Sequence, residues 1–293
     1  MSGPALLDSN ASNPQNGTVT IRRMERNEAQ IAVDWAAAEG WNPGINDAHI
    51  FYDADPDGFF LALDDGKPVG CCSAVLYERE LAFFGLFIVH RDYRKRGIGL
   101  KLTHAALEYV GECSCGLDGV PAMQAKYTEF GFQLAHRNIR FEGSCEGELC
   151  PGVIQLDTLP FDVLHTYDRR HFSVGRSGFL GNWISQPGCS ALGLMRGGEL
   201  AGYGVLRPCH VGYKIGPLFA DTERAADTLF RSLCASSHGG SVFLDVPEPN
   251  EAAIALTRRY GMRPCFETAR MYAGRIPDQP LDRVFGVTTF ELG

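Results

Sequence analysis

Two periodicities divide the chain. Thr18 to Arg22 alternates polar and apolar side chains and predicts a first strand. Glu28 to Glu39 sets Ala29, Ile31, Ala32, Trp35 and Ala36 at helical spacing and stops at Gly40. A turn-rich loop, Trp41 to Asp47, follows. Phe59 to Leu63 and Pro68 to Leu76 are apolar runs joined by Asp64, Asp65, Gly66 and Lys67, the composition of a hairpin. A second turn at Glu78 to Glu80 leads into the apolar run Leu81 to Val89. The pattern then predicts a helix over Gly99 to Val110, a short buried strand over Cys115 to Asp118, a short helix over Ala122 to Phe130 and a strand over Phe132 to Glu142. The order is β-α-α-β-β-β-α-β-α-β. Ser144 to Gly152 reads as a linker, and residues 1–17, rich in Ser, Asn, Pro and Gly, are expected to be disordered.

The second half repeats the first. Leu194 to Gly202 echoes Leu63 to Gly70, with Gly198 and Gly202 spaced as Gly66 and Gly70 are. Gly216 to Ala220 echoes Gly85 to Val89, Leu244-Asp245 echoes Leu117-Asp118, and Tyr260-Gly261-Met262 echoes Phe130-Gly131-Phe132. Two copies of one unit are expected, spanning 18–143 and 153–293 with the linker 144–152 between them.

Composition narrows the function classes. At 293 residues the chain suits two domains of ordinary size, and 45% hydrophobic with 21% charged residues is a globular balance. A net charge of −8 argues against nucleic acid, whose phosphates need a basic face, and leaves a cationic or amine substrate unrepelled. No apolar run approaches the ~20 residues of a membrane span. No basic start with an apolar core is readable, so a cytoplasmic location and no membrane partner are expected. The ten cysteines contain no Cys-x-x-Cys pair and no metal is expected; reduced thiols are the default, with Cys145–Cys150 as a possible disulfide.

The chemistry concentrates after Val89. Arg91 to Gly99 reads as a basic, glycine-rich turn between a strand and a helix. Such a turn leaves unpaired N–H groups at the positive end of the helix dipole, converging on a site for phosphate or pyrophosphate. The third glycine of a dinucleotide fingerprint is missing, as is the Gly-Lys-Ser/Thr ending of a P-loop.

Arg94-Lys95-Arg96-Gly97-Ile98-Gly99 does resemble the Arg/Gln-x-x-Gly-x-Gly/Ala turn of the GNAT superfamily of N-acetyltransferases. The preceding strand, the following helix and Tyr127 to Phe132 stand where that family has them, and the doubled arrangement resembles the YitH-type group. The resemblance implies an α/β fold of two tandem GNAT-like domains, each a mixed, mainly antiparallel sheet flanked by helices. It also implies acetyl-CoA as co-substrate. Arg94, Lys95, Arg96, Gly97, Ile98 and Gly99 would hold the pyrophosphate, and backbone groups of Phe87, Ile88 and Val89 the pantetheine arm and thioester.

Tyr127 falls at the position of the general acid that protonates the departing thiolate; the alternative is a tyrosine packed on the core. Val120-Pro121 departs from the family pattern, which often has an asparagine there. For the base, Asp118 leads, with a helix or turn cap as its alternative, and His90 and Asp47 follow. Trp41 and Asp47 border the expected acceptor site. The second copy has Asp221 and Glu223 in place of the basic turn and Thr257 in place of Tyr127, and reads as catalytically silent. The expected activity is acetylation of a small-molecule primary amine by direct transfer in a ternary complex. The alternatives are a peptide acetyltransferase and a non-catalytic acyl-CoA sensor.

Overall fold

The computed structural model describes residues 19–293. The expected disordered segment 1–17, and Thr18 of the first strand, lie outside the described residues. The first repeat runs β1 (Thr20–Arg23), α1 (Ala29–Ala38), α2 (Asp47–Ala54), β2 (Phe59–Asp64), β3 (Lys67–Tyr77), β4 (Leu81–Val89), α3 (Ile98–Val110), β5 (Ser114–Gly119), α4 (Gln124–Glu129) and β6 (Gln133–Ser144). The second runs β7 (Val153–Gln155), α5 (Phe161–Phe172), α6 (Ser177–Ser185), β8 (Ser190–Arg196), β9 (Glu199–Pro208), β10 (Tyr213–Ala220), α7 (Glu223–Cys234), β11 (Ser241–Pro247), α8 (Glu251–Arg259), β12 (Arg263–Ala273) and β13 (Val284–Gly286).

Local chemistry accounts for the shared parts. Asp65 and Gly66 both take positive φ between paired Asp64 and Lys67, the two-residue turn whose twist suits a hairpin. Gly197 and Gly198 do the same between Arg196 and Glu199. Helix α3 buries Ile98, Leu102, Ala106 and Val110, one side chain per turn, against the sheet. Helix α7 is capped by Thr222, whose hydroxyl accepts the Ala225 N–H at 3.2 Å, and buries Ala226, Leu229, Phe230 and Leu233.

The two repeats share one sheet of 13 strands, in the order β1-β2-β3-β4-β5-β12-β6-β11-β10-β9-β8-β7, with β13 on β10. Only β4–β5 and β10–β11 are parallel among the pairings of the described residues. The last long strand of each repeat is exchanged: β12 lies beside β5, and β6 beside β11. The two exchanged strands pair with each other about Asn138 and Thr268. Beyond the sheet, a core cluster of both repeats stacks Phe51 of α2 on Trp183 of α6.

Charge as well as hydrogen bonding secures the exchange. Arg270 on β12 stands opposite Asp118 on β5 and donates to both its carboxylate oxygens, at 3.0 and 2.6 Å. Arg140 on β6 stands opposite Asp245 on β11 and does the same at 2.6 and 2.8 Å. All four residues are buried or nearly so.

The expected linker is packed rather than free. Cys145 forms a disulfide with Cys234 at the end of α7, and Cys150 N–H donates to Ser232 Oγ at 3.1 Å. The pairing Cys145–Cys150 is therefore corrected, and so is the default of reduced thiols at Cys145 and Cys234: tertiary contact brings a partner from 89 residues away.

Removing one member of a buried ion pair leaves an uncompensated charge, at a cost of about 3–5 kcal/mol, whereas apolar replacement of both can be nearly neutral. Arg140→Met should thus lower the urea-denaturation stability by about that amount, and Arg140→Met with Asp245→Leu should recover most of it. Burial alone would raise the Asp245 carboxyl, but Arg140 overrides this and holds it below its ordinary value. Its contribution is therefore present above the unfolded carboxyl pKa of about 3.9 and is lost as pH falls through the lower folded value. That acid-side loss should be smaller in the double variant.

Candidate active site

The parallel pairing of β4 with β5 covers only Leu81–Phe84 against Ser114–Leu117, after which the strands part. The other edge of β4 stays paired to β3 as far as Val89, with one extra β4 residue between Gly85 and Ile88. This bulge centres on Leu86, at φ 47°. A bulge leaves the added residue out of the ladder and re-aims the strand. The parted edge of β4 faces a cavity of about 650 Å³.

Of the residues expected to bind the co-substrate, Phe87, Ile88, Val89, Arg94, Lys95, Ile98 and Gly99 line this cavity; Arg96 and Gly97 stand outside the lining. Gly97 caps α3 at φ 79°, and a Cβ there would meet no protein atom within 4 Å. The first N–H groups of α3 are thus approachable at that residue, and no side chain of the capping residue occupies them. The other glycine has a packing use: a Cβ on Gly99 would lie 3.1 Å from the Phe87 ring. Arg94 turns inward, donating to the Val89 carbonyl at 2.9 Å and pairing with Glu39, so it braces the turn against β4. Arg96 lies over the Tyr93 ring, 4.9 Å from its centre. Approachable amides with lysine and arginine beside them fit a diphosphate.

Tyr127 lines the same cavity from α4. Its ring occupies the space of a missing side chain, since a Cβ on Gly119 would lie 2.4 Å from it. Burial pushes its phenol up to about 12, which keeps the proton on oxygen throughout the neutral range.

Family models match on both halves: a model of the acetyltransferase (GNAT) family over residues 24–132 and one of the acetyltransferase (GNAT) domain over 164–286. This chain belongs to the GNAT superfamily, as a tandem acyltransferase. The holothin acyltransferase of a Pseudoalteromonas species is 29% identical over 290 residues, spanning 98% of this chain and 99% of that protein. The uncharacterized N-acetyltransferase YitH of Bacillus subtilis is 26% identical over 62% of this chain and 66% of its own length. A crystal structure from Pyrococcus horikoshii, described as an acetyltransferase, shares the fold with TM-score 0.82 and 23% identity over 98% of this chain and all of that one.

The two GNAT repeats differ in what fills the parting. Strands β10 and β11 pair only from Tyr213 to Ile215 against Val242 to Leu244. Into the gap beyond runs β13, which pairs with β10 at Leu218 and Phe219 and passes the Val287 N–H to the Asp245 carbonyl at 2.8 Å. The bulge position matching Leu86 is Pro217, which has no N–H to offer. Thr257, in the place of Tyr127, turns its hydroxyl onto its own helix at Ile254.

Four other expected site residues divide between the cavity and its surroundings. Asp118 borders the cavity, but its oxygens accept from Arg270 and from Asn138 Nδ2, the latter at 2.7 Å. With cation and amide already on it, this carboxylate is corrected from proton acceptor to strand clamp. Asp47 lies off the cavity, buried against Arg207 at 3.1 Å and accepting the Gly44 N–H at 2.7 Å. It is corrected from substrate contact to a tie between the repeats. His90 is outside the lining too, whereas Trp41 is part of it. The sequence reading missed Phe266, Thr268, Phe290 and Glu291, all from the second repeat, which complete the wall.

Calorimetric titration with CoA should give one site per chain. Gly97→Val should abolish it, because a branched side chain is strained at positive φ and covers the amides. The loss of stability should stay within about 1–3 kcal/mol, since no protein atom is displaced.

Proposed function

We propose that the protein is an acetyl-CoA-dependent N-acetyltransferase acting on the primary amine of a small molecule, by direct transfer in a ternary complex. One observation carries the reading. The free edge of β4, the bulge at Leu86, the first turn of α3 and Tyr127 meet at a single cavity, whose lining is completed by side chains of the second repeat. A lining that includes Trp41, Phe266 and Phe290 suits a compact acceptor better than an extended peptide. The relative named holothin acyltransferase, matched over nearly its whole length, supports acyl transfer as the reaction.

In this reading residues 18–143 carry the reaction and 153–293 are the degenerate partner that walls the acceptor site. Acetyl-CoA supplies an activated acetyl group. The Arg94–Gly99 turn holds its diphosphate, and the unpaired edge of Phe87–Val89 aligns the pantetheine arm by backbone hydrogen bonds. The bulge at Leu86 presents backbone to the thioester carbonyl, so that positioning and polarisation supply the larger share of catalysis. Tyr127 gives its proton to the departing sulfur. Among the described residues no helix is long and apolar enough to cross a membrane; we place the reaction in the cytoplasm.

Tyr127→Phe tests the assignment. The expected result is a fall in kcat of about 10²-fold, the usual loss on removing a general acid, with acetyl-CoA affinity unchanged. Because burial pushes the phenol up to about 12, the wild-type rate should show no alkaline decline from this group below about pH 10. An unaltered kcat in the phenylalanine variant returns Tyr127 to core packing.

A further inference from the structure

We propose that Glu291, in the segment following β13, receives the acceptor amine and takes its proton, and that the acceptor is a primary amine on a flat, apolar or aromatic body. This rests on the acetyltransferase reading above and adds to it the missing base and the class of substrate.

Glu291 lines the cavity while only 3% exposed, and its Oε2 is buried without a hydrogen-bond partner among the described residues. Burying a carboxylate with one oxygen unpaired is costly, and the cost falls when a ligand N–H reaches the group. The other two acids of the wall are occupied: Glu39 pairs with Arg94, and Asp118 with Arg270. Charges that act on Glu291 include Arg140 of β6 and Arg207 of β9, each already held by its own aspartate.

The backbone places this side chain where acyl transfer would occur. Thr289 Oγ1 accepts the N–H groups of Glu291 and Leu292, both at 2.9 Å, and Tyr77 donates its hydroxyl to the Leu292 carbonyl at 3.1 Å. The Glu291 carbonyl then lies against Gly85, where any Cβ would be 2.1 Å from it. Gly85 is the residue before the bulge. Trp41, Phe266 and Phe290 line the same cavity, and Arg140 lies 5.6 and 4.8 Å from the centres of the two phenylalanine rings. Flat rings around one carboxylate describe a pocket for an amine with an aromatic or flat apolar body.

The step balances with the groups present. The amine nitrogen forms a bond to the acetyl carbonyl carbon as the carbon–sulfur bond breaks. One amine proton passes to Glu291, the sulfur takes the Tyr127 proton, and both side chains return to their resting forms by exchange with solvent.

The test compares wild type, Glu291→Gln and Glu291→Asp with benzylamine and 2-phenylethylamine as acceptors, alongside calorimetric CoA affinity and thermal melting. The expected result is acetylation of these amines by wild type, a loss of at least about 10²-fold in kcat/KM for Glu291→Gln with CoA affinity retained, and partial activity for Glu291→Asp. Wild-type turnover by Glu291→Gln overturns the role of Glu291 alone. CoA binding without acetylation of either amine overturns the acceptor class. A wild-type protein that binds no acetyl-CoA overturns the acetyltransferase reading itself.

Discussion

Two buried aspartate–arginine pairs, Asp118–Arg270 and Asp245–Arg140, hold the molecule together as one sheet. Each joins a strand of one repeat to the exchanged strand of the other. Burying four charges is tolerable only with bidentate geometry and with spare lone pairs and N–H groups satisfied: Asn138 donates to Asp118 in the first pair, and Arg140 donates to the Trp41 carbonyl in the second. Such pairs also discriminate: a strand slipped by one residue would leave two charges unpaired in the interior. The exchange matters for the site, because β12 brings Phe266 and Thr268 to a cavity whose other side belongs to the first repeat.

The repeats show one scaffold put to two uses. Both part their central parallel strands at a glycine, Gly85 or Gly216, where another segment crosses too closely for a side chain. In the first repeat the free edge faces an open cavity. In the second, β13 takes that edge, which would otherwise expose unpaired backbone groups. The chain continues from β13 to Glu291, so the segment that fills one parting also walls the other. Closure of the second parting and completion of the first cavity's lining are two results of a single stretch of chain.

Local features were legible in the sequence. Asp65-Gly66 and Gly197-Gly198 read as tight hairpins because only such residues accept two successive positive φ values. Arg91 to Gly99 read as a basic, glycine-rich turn before a helix, and Gly97 caps α3 there at φ 79°. What the pattern could not reveal was neighbourhood. Periodicity says that β6 and β12 are strands and is silent about which strands they join. A signal did exist: Asn138-Ile139-Arg140 and Thr268-Ala269-Arg270 follow Gly131 and Gly261 at equal spacing, and an arginine in a strand of each copy calls for a carboxylate. Asp118 and Asp245 repeat in the same way and are the carboxylates those arginines call for. Without them, an acid at a strand end beside a glycine turn resembled a base. Glu291 carried no local signal, being more than 190 residues from the turn it faces across the cavity.

One parted strand edge is the proposed seat of CoA, and its counterpart is closed by the chain itself. Amide hydrogen exchange with and without CoA reads both edges at once. New protection at residues 86–89 and 97–101, with none gained at 216–223, is the predicted result. Protection gained at 216–223, or none in the first repeat while CoA is bound, would contradict it.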